Sequence, residues 1–146
     1  MTDHNCFECG APLTTHAYKK LVRVGRYKVE DSSAMAPVCA NGHPELSLDA
    51  IAGYERRAAA VVLSEAKEIG GTEIRFARKS IGLTQAHLAE VLQVAPETVS
   101  RWECDRDEMS RVSRLALLAV VREVELLKRL DRNPAPAAEV LKIGTA

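Results

Sequence analysis

Between Leu83 and Glu103 the apolar and polar positions fall in the order that two short helices around a tight turn require. Leu88, Ala89 and Leu92 recur at three- and four-residue spacing, which puts them on one buried face, and Thr84 is suited to cap that helix through its hydroxyl. Val94 plugs the turn. Pro96 suits the first position of the second helix, where its missing N–H costs nothing, and Val99 and Trp102 turn inward three residues apart. Gln85, Glu97, Thr98, Ser100 and Arg101 are left outside, and the segment reads as a helix-turn-helix for DNA. A plain helical bundle would also repeat Leu and Ala at these spacings. It gives no reason for Gln85, Ser100 and Arg101 at these offsets from a buried Trp102.

Elsewhere the pattern changes period. From Tyr18 to Glu30, Val22 and Val24 alternate with Leu21 and Arg23, Gly25 is able to form a bend and Val29 follows, which predicts two short antiparallel strands. From Leu48 to about Ile69 the spacing of Ile51, Tyr54, Ala58, Val61 and Val62 predicts a connector helix that Gly70-Gly71 stops, either as a pivot or as a fixed tight turn. A last long helix is predicted from Ser110 or Arg111 to about Leu130. Its first half closes the helix-turn-helix core; Val121, Val124, Leu127 and Leu130 then form either a homodimer seam or a face packed on the connector helix. The Pro134–Ala138 run reads as a linker or tail.

Composition bounds the class. The 146 residues are 47% hydrophobic with no long apolar run and no signal-like leader, so a soluble, cytoplasmic protein of two small domains, without a membrane segment, is expected. The 20 basic and 20 acidic side chains cancel, and they cancel again between Thr72 and Leu115. Non-specific attraction to nucleic acid should therefore be modest, and a homodimer on a palindromic double-stranded site is expected to supply the missing phosphate contacts. Lys19, Lys20, Arg23, Arg26 and Lys28 crowd the predicted hairpin, as a docking face for an acidic partner or as solvated strand faces.

The second chemical signal is Cys6-Phe7-Glu8-Cys9-Gly10, followed by Cys39-Ala40-Asn41-Gly42-His43. A Cys-x-x-Cys turn aims both thiolates at one metal, and Cys39 with His43 can complete a tetrahedron, which predicts one structural Zn2+ per chain. His4 and His16 compete for the fourth position, and a Cys6–Cys9 disulfide is the alternative use of the first pair. The segment needs a staple, because its apolar residues are too few for an independent core. Three sulfurs and an imidazole would leave no open position for a catalytic water, and there is no phosphate-cradling glycine loop, His-Glu-x-x-His or Gly-x-Ser-x-Gly, so an enzyme is not expected. Cys104 is expected to pack as a small hydrophobe.

The Leu-Thr-Gln, Leu-Ala and Thr-Val-Ser-Arg-Trp-Glu series from Glu73 to about Leu118 resembles the DNA-binding domain of the phage-repressor and Cro superfamily. The resemblance implies that the second helix enters the major groove, that Gln85 holds a phosphate and that Arg101 and Glu97 read bases, with Thr84, Pro96, Thr98 and Ser100 completing the DNA-facing set. The chain departs from that pattern at Ala95, where a capping Ser or Asn is more usual, and at Cys104-Asp105, where a Gly often ends the helix. The order of parts also resembles the MqsA antitoxin family, which joins a YgiT-type zinc finger to a Cro-like domain. That implies a structural zinc module contributing to binding of a partner toxin, and a C-terminal domain that dimerises and represses its own operon. The fourth ligand is commonly Cys in that family, where this chain offers His43. A stand-alone zinc-containing regulator with no toxin partner is the alternative. The expected fold is α+β: a zinc-bound β-hairpin module at 1–46, a connector helix and linker at 47–71, an all-α Cro-like bundle for DNA binding and dimerisation at 72–132, and a Pro/Ala-rich tail at 133–146.

Overall fold

The structure, a computed structural model, describes residues 4–132, with side chains described as far as Glu125. The fold is α+β, with two small antiparallel two-stranded sheets and five helices among the described residues. Strands β2 (Lys20–Val24) and β3 (Tyr27–Asp31) form the hairpin that the alternation predicts, in a register from Val24 opposite Tyr27 to Lys20 opposite Asp31. Gly25 turns it at φ +56°, and a Cβ there would lie 2.7 Å from the Glu73 side chain, so both the backbone angle and the space call for glycine. A second pair, β1 (Leu13–Ala17) with β4 (Met35–Cys39), encloses the hairpin in sequence.

Helix α1 (Leu48–Glu65) starts where Ser47 accepts the Ala50 N–H at 3.0 Å. It stops short of the expected Ile69 because Ala66 turns to extended backbone, and side chains take up the carbonyls at and beyond its end. Arg114 donates to the carbonyls of Val62, Leu63 and Ala66, and the Tyr27 hydroxyl donates to that of Glu68. The helix is amphipathic on two sides. Tyr54, Ala58 and Val62 pack with Val22 and Val24 of the hairpin, while Ala59 and Leu63 join the core of the later helices.

That core is built by α2 (Gly71–Ser80), α3 (Gln85–Leu92), α4 (Pro96–Glu103) and α5 (Arg111–Arg132) around fully buried Ile74, Ala77, Leu88, Ala89, Val99 and Leu117. Gly71 is a fixed contact rather than a pivot. Its N–H donates to Asp105 Oδ1 at 2.7 Å, and a Cβ would come within 2.2 Å of the Glu103 carbonyl oxygen. Val121, expected as part of a dimer seam, has no exposed surface because it packs inside the chain's own core, and Val124 is half-buried. The side chains of Leu127 and Leu130 and the tail at 133–146 lie outside the described residues. On α5, among described residues, the exposed large apolar side chains are Val112 and Leu115.

Ion pairs tie the layers. Arg56 of α1 holds Glu125 of α5 at 2.8 Å with both side chains buried, and Arg57 bridges Glu125 at 3.2 Å and Asp31 of β3 at 2.7 Å. Burial pushes the Asp31 carboxyl up, but hydrogen bonds from Ser33 and Arg57 outweigh it and hold it below the usual carboxylate range. Arg26 at the hairpin tip reaches buried Glu73 of α2 at 3.1 Å. Among the described residues no helix is long and apolar enough to cross a membrane.

Candidate metal centre and nucleic-acid interface

The first turn closes with the Cys6 N–H on the Ala11 carbonyl and the Gly10 N–H on the Cys6 carbonyl, both at 2.8 Å. The second closes with the Gly42 N–H on the Cys39 carbonyl at 2.9 Å and the Cys39 N–H on the His43 carbonyl at 3.1 Å. Pairing of Leu13 with Cys39 at the end of the β1–β4 ladder sets the two turns face to face. The ligand atoms of Cys6, Cys9, Cys39 and His43 all lie within 4.8 Å of one another and could hold one metal ion. Cys6 Sγ is 3.7 Å from His43 Nδ1, and Cys9 Sγ is 3.7 Å from Cys39 Sγ. Four donors about 2.3 Å from a common centre have tetrahedral edges of about 3.8 Å, so the spacing fits a metal of that bond length.

The surroundings of Cys9 favour thiolate. The Ala11 N–H, the Asn41 amide and His43 lower the Cys9 thiol to about 6. Burial pushes the Cys6 thiol up. The His43 N–H donates to Cys39 Sγ at 3.3 Å, and the imidazole's outer Nε2 lies 3.6 Å from Glu8, an orienting contact of the kind that fixes a ligating ring. All four cysteines are free thiols, so the Cys6–Cys9 disulfide does not form here, and His4 and His16 stand outside the cluster. Cys104 is exposed and does not pack as a small hydrophobe. Asp105 takes φ +56°, doing the work of the glycine that often ends such a helix, and the thiol is left outside.

On the opposite part of the chain, Thr84 Oγ1 accepts the His87 N–H at 3.2 Å, as its place in the sequence predicts. Gln93 adopts φ +56° to turn α3 into α4, with the Val94 N–H on the Ala89 carbonyl at 2.9 Å. Pro96 begins α4, and Ala95 before it supplies no side-chain cap. Val99 and Trp102 are buried beneath the helix, Glu97 and Arg101 are exposed, and Thr98 and Ser100 are half-covered. Gln85 is half-buried, and its amide donates to Glu103 Oε2 at 2.7 Å instead of standing free.

Glu103 is the residue that sequence reasoning missed. Its side chain has no exposed surface and accepts from Arg78 at 2.6 and 3.1 Å, from Gln85, and from Arg75 at 3.5 Å. Burial raises its carboxyl, but the bonds from Arg78 and Gln85 outweigh burial and keep it below its ordinary value. Arg101 is itself engaged: its Nε and Nη2 donate to the two carboxylate oxygens of Asp107 at 2.5 and 3.1 Å. No protein-family model matches the chain, and no curated protein sequence matches it.

Proposed function

We propose that this protein is a sequence-specific DNA-binding transcriptional repressor, stabilised by a structural Zn2+, that acts as the antitoxin of a type II toxin–antitoxin pair and represses its own operon. The observation that carries the reading is the α3–α4 pair. Its turn is set by Gln93 in the left-handed region, its inner side is filled by Val99 and Trp102, and its outer side presents Glu97 and Arg101 at the spacing that groove docking uses. In the major groove Arg101 would donate to guanine O6 and N7, and Glu97 would accept from a cytosine amino group.

Zinc suits the Cys3His donor set because it takes thiolate and imidazole in a closed tetrahedron and has no redox chemistry of its own. In this reading Cys6, Cys9, Cys39 and His43 hold the ion and the β1–β4 module stands on it, available to a protein toxin in the cytoplasm. The neutral overall charge fits a homodimer on a palindromic operator, since one copy offers few phosphate contacts.

The test is binding of the purified full chain, assayed for metal, to a labelled fragment of its own upstream DNA across a salt series. A competitor-resistant shift with one zinc per chain is the expected result, and the affinity should fall with salt by about 0.9 log units per log unit for each phosphate contacted. No shift with zinc present would overturn the repressor reading. Co-purification of the neighbouring gene's product on the N-terminal module separates the antitoxin from the stand-alone regulator.

A further inference from the structure

Arg101 is the only outward cation of α4, and its fork is not loose. Asp107 grips the side edge of the guanidinium, accepting from Nε and from one N–H of Nη2. An arginine has five N–H donors, so this leaves both hydrogens of Nη1 and the second hydrogen of Nη2. One of the Nη1 hydrogens and that Nη2 hydrogen lie parallel along the end of the fork, the arrangement that two adjacent acceptors on a purine edge can meet.

Asp107 is itself held by backbone. After α4 the chain folds over the helix end, with the Arg106 and Asp107 N–H groups both on the Arg101 carbonyl at 2.9 and 3.3 Å. Asp105 is pinned to the start of α2 through Gly71, and Met109 anchors the far end of the loop in the core. The carboxylate is therefore presented from a fixed loop to a residue whose long side chain would otherwise sample many rotamers.

We infer that Asp107 is a positioning residue for base recognition: it orders Arg101 so that the free end of the guanidinium faces a guanine edge, and thereby sets discrimination at one base pair. The inference rests on the DNA-binding reading above. It also predicts an unusual sign. Asp107 is an exposed negative charge beside the proposed DNA-facing helix, so removing it should help phosphate attraction while harming selection.

The experiment measures the full-length chain and its Asp107→Asn and Arg101→Ala variants against the upstream fragment, single-base variants of it, and an unrelated duplex of equal length. Circular dichroism melting checks that each variant folds. The wild type should prefer the native base at one position by roughly 5- to 150-fold, the range a bidentate arginine contact supplies. Arg101→Ala should erase that preference. Asp107→Asn should reduce it at the same position, to a value between those of wild type and Arg101→Ala, while binding the unrelated duplex as well as or better than wild type. A variant that keeps full discrimination overturns the inference, and so does one that binds the upstream fragment more tightly with discrimination intact, since Asp107 would then only compete for the arginine. Failure of the wild type to prefer its own fragment over the unrelated duplex would instead overturn the DNA-binding reading, and this inference with it.

Discussion

Replacing Glu103 by glutamine removes one charge and almost no volume, which makes it a clean probe of the polar cluster beneath α4. In the native protein the carboxylate has no exposed surface and receives Arg78 through two bonds, with Gln85 and Arg75 around it. Taking away one member of a buried pair costs about 3 to 5 kcal/mol, because the remaining charge is left desolvated. The lower end applies here, since Arg75 is half exposed and Arg78 lies close enough to the surface to regain some water. A loss of about 3 kcal/mol corresponds to about 10 °C of melting temperature in a chain of this size. The sign in acid follows from the direction of the shift. The carboxyl sits below its ordinary value of 4.5 in the folded protein, so its stabilisation is complete above that value and is lost as the pH falls below it and through the lower folded-state value. Thermal melts of wild type and Glu103→Gln, followed by circular dichroism from pH 7 to pH 3, should therefore converge toward the acid end. Equal melting temperatures at pH 7, or a gap that does not narrow in acid, would refute this account of Glu103.

Other expectations follow from single contacts. Gly71→Ala places a methyl 2.2 Å from the Glu103 carbonyl, against backbone that cannot swing away, and should destabilise by at least 2 kcal/mol, roughly the scale of overpacking in a full core, read from urea unfolding. Cys9→Ser should abolish equimolar zinc binding in a chelator competition, whereas His4→Ala and His16→Ala should leave it unchanged, because neither imidazole belongs to the cluster. A fragment of residues 71–132 lacks Ala59 and Leu63, which are buried with Trp102 and Leu118; it should melt far below the whole chain or stay unfolded, as calorimetry would report.

Much of the α3–α4 arrangement was readable because its signals are local: a hydroxyl at Thr84, a proline at position 96, and Val99 and Trp102 within one turn of each other. The cluster of Cys6, Cys9, Cys39 and His43 was readable for a similar reason, as two short turns with fixed spacing. What brings the turns together was not. Strand β1 carries Thr14, Thr15 and His16, all exposed, and so shows none of the alternation that betrays a half-buried strand. Helix α2 was hidden by its own chemistry, since Glu73 and Arg78 look solvent-facing yet are covered through ion pairs with Arg26 and Glu103. The same disguise concealed Glu103, Arg56 and Glu125. A charged side chain reads as surface until its partner is known, and these partners lie between 25 and 69 residues away. Cys104 erred in the other direction: a thiol at a helix end reads as a small core residue, yet the chain turns left-handed at Asp105 and leaves it exposed.

Helix α1 divides its small and aromatic residues between two cores, with Tyr54, Ala58 and Val62 toward the hairpin and Ala59 and Leu63 toward the later helices. Such a helix cannot loosen on one side and stay seated on the other. Its amides should consequently exchange with solvent only when both cores open, and the β2–β3 hairpin and the later helices should behave as one cooperative folding unit rather than as beads on a tether.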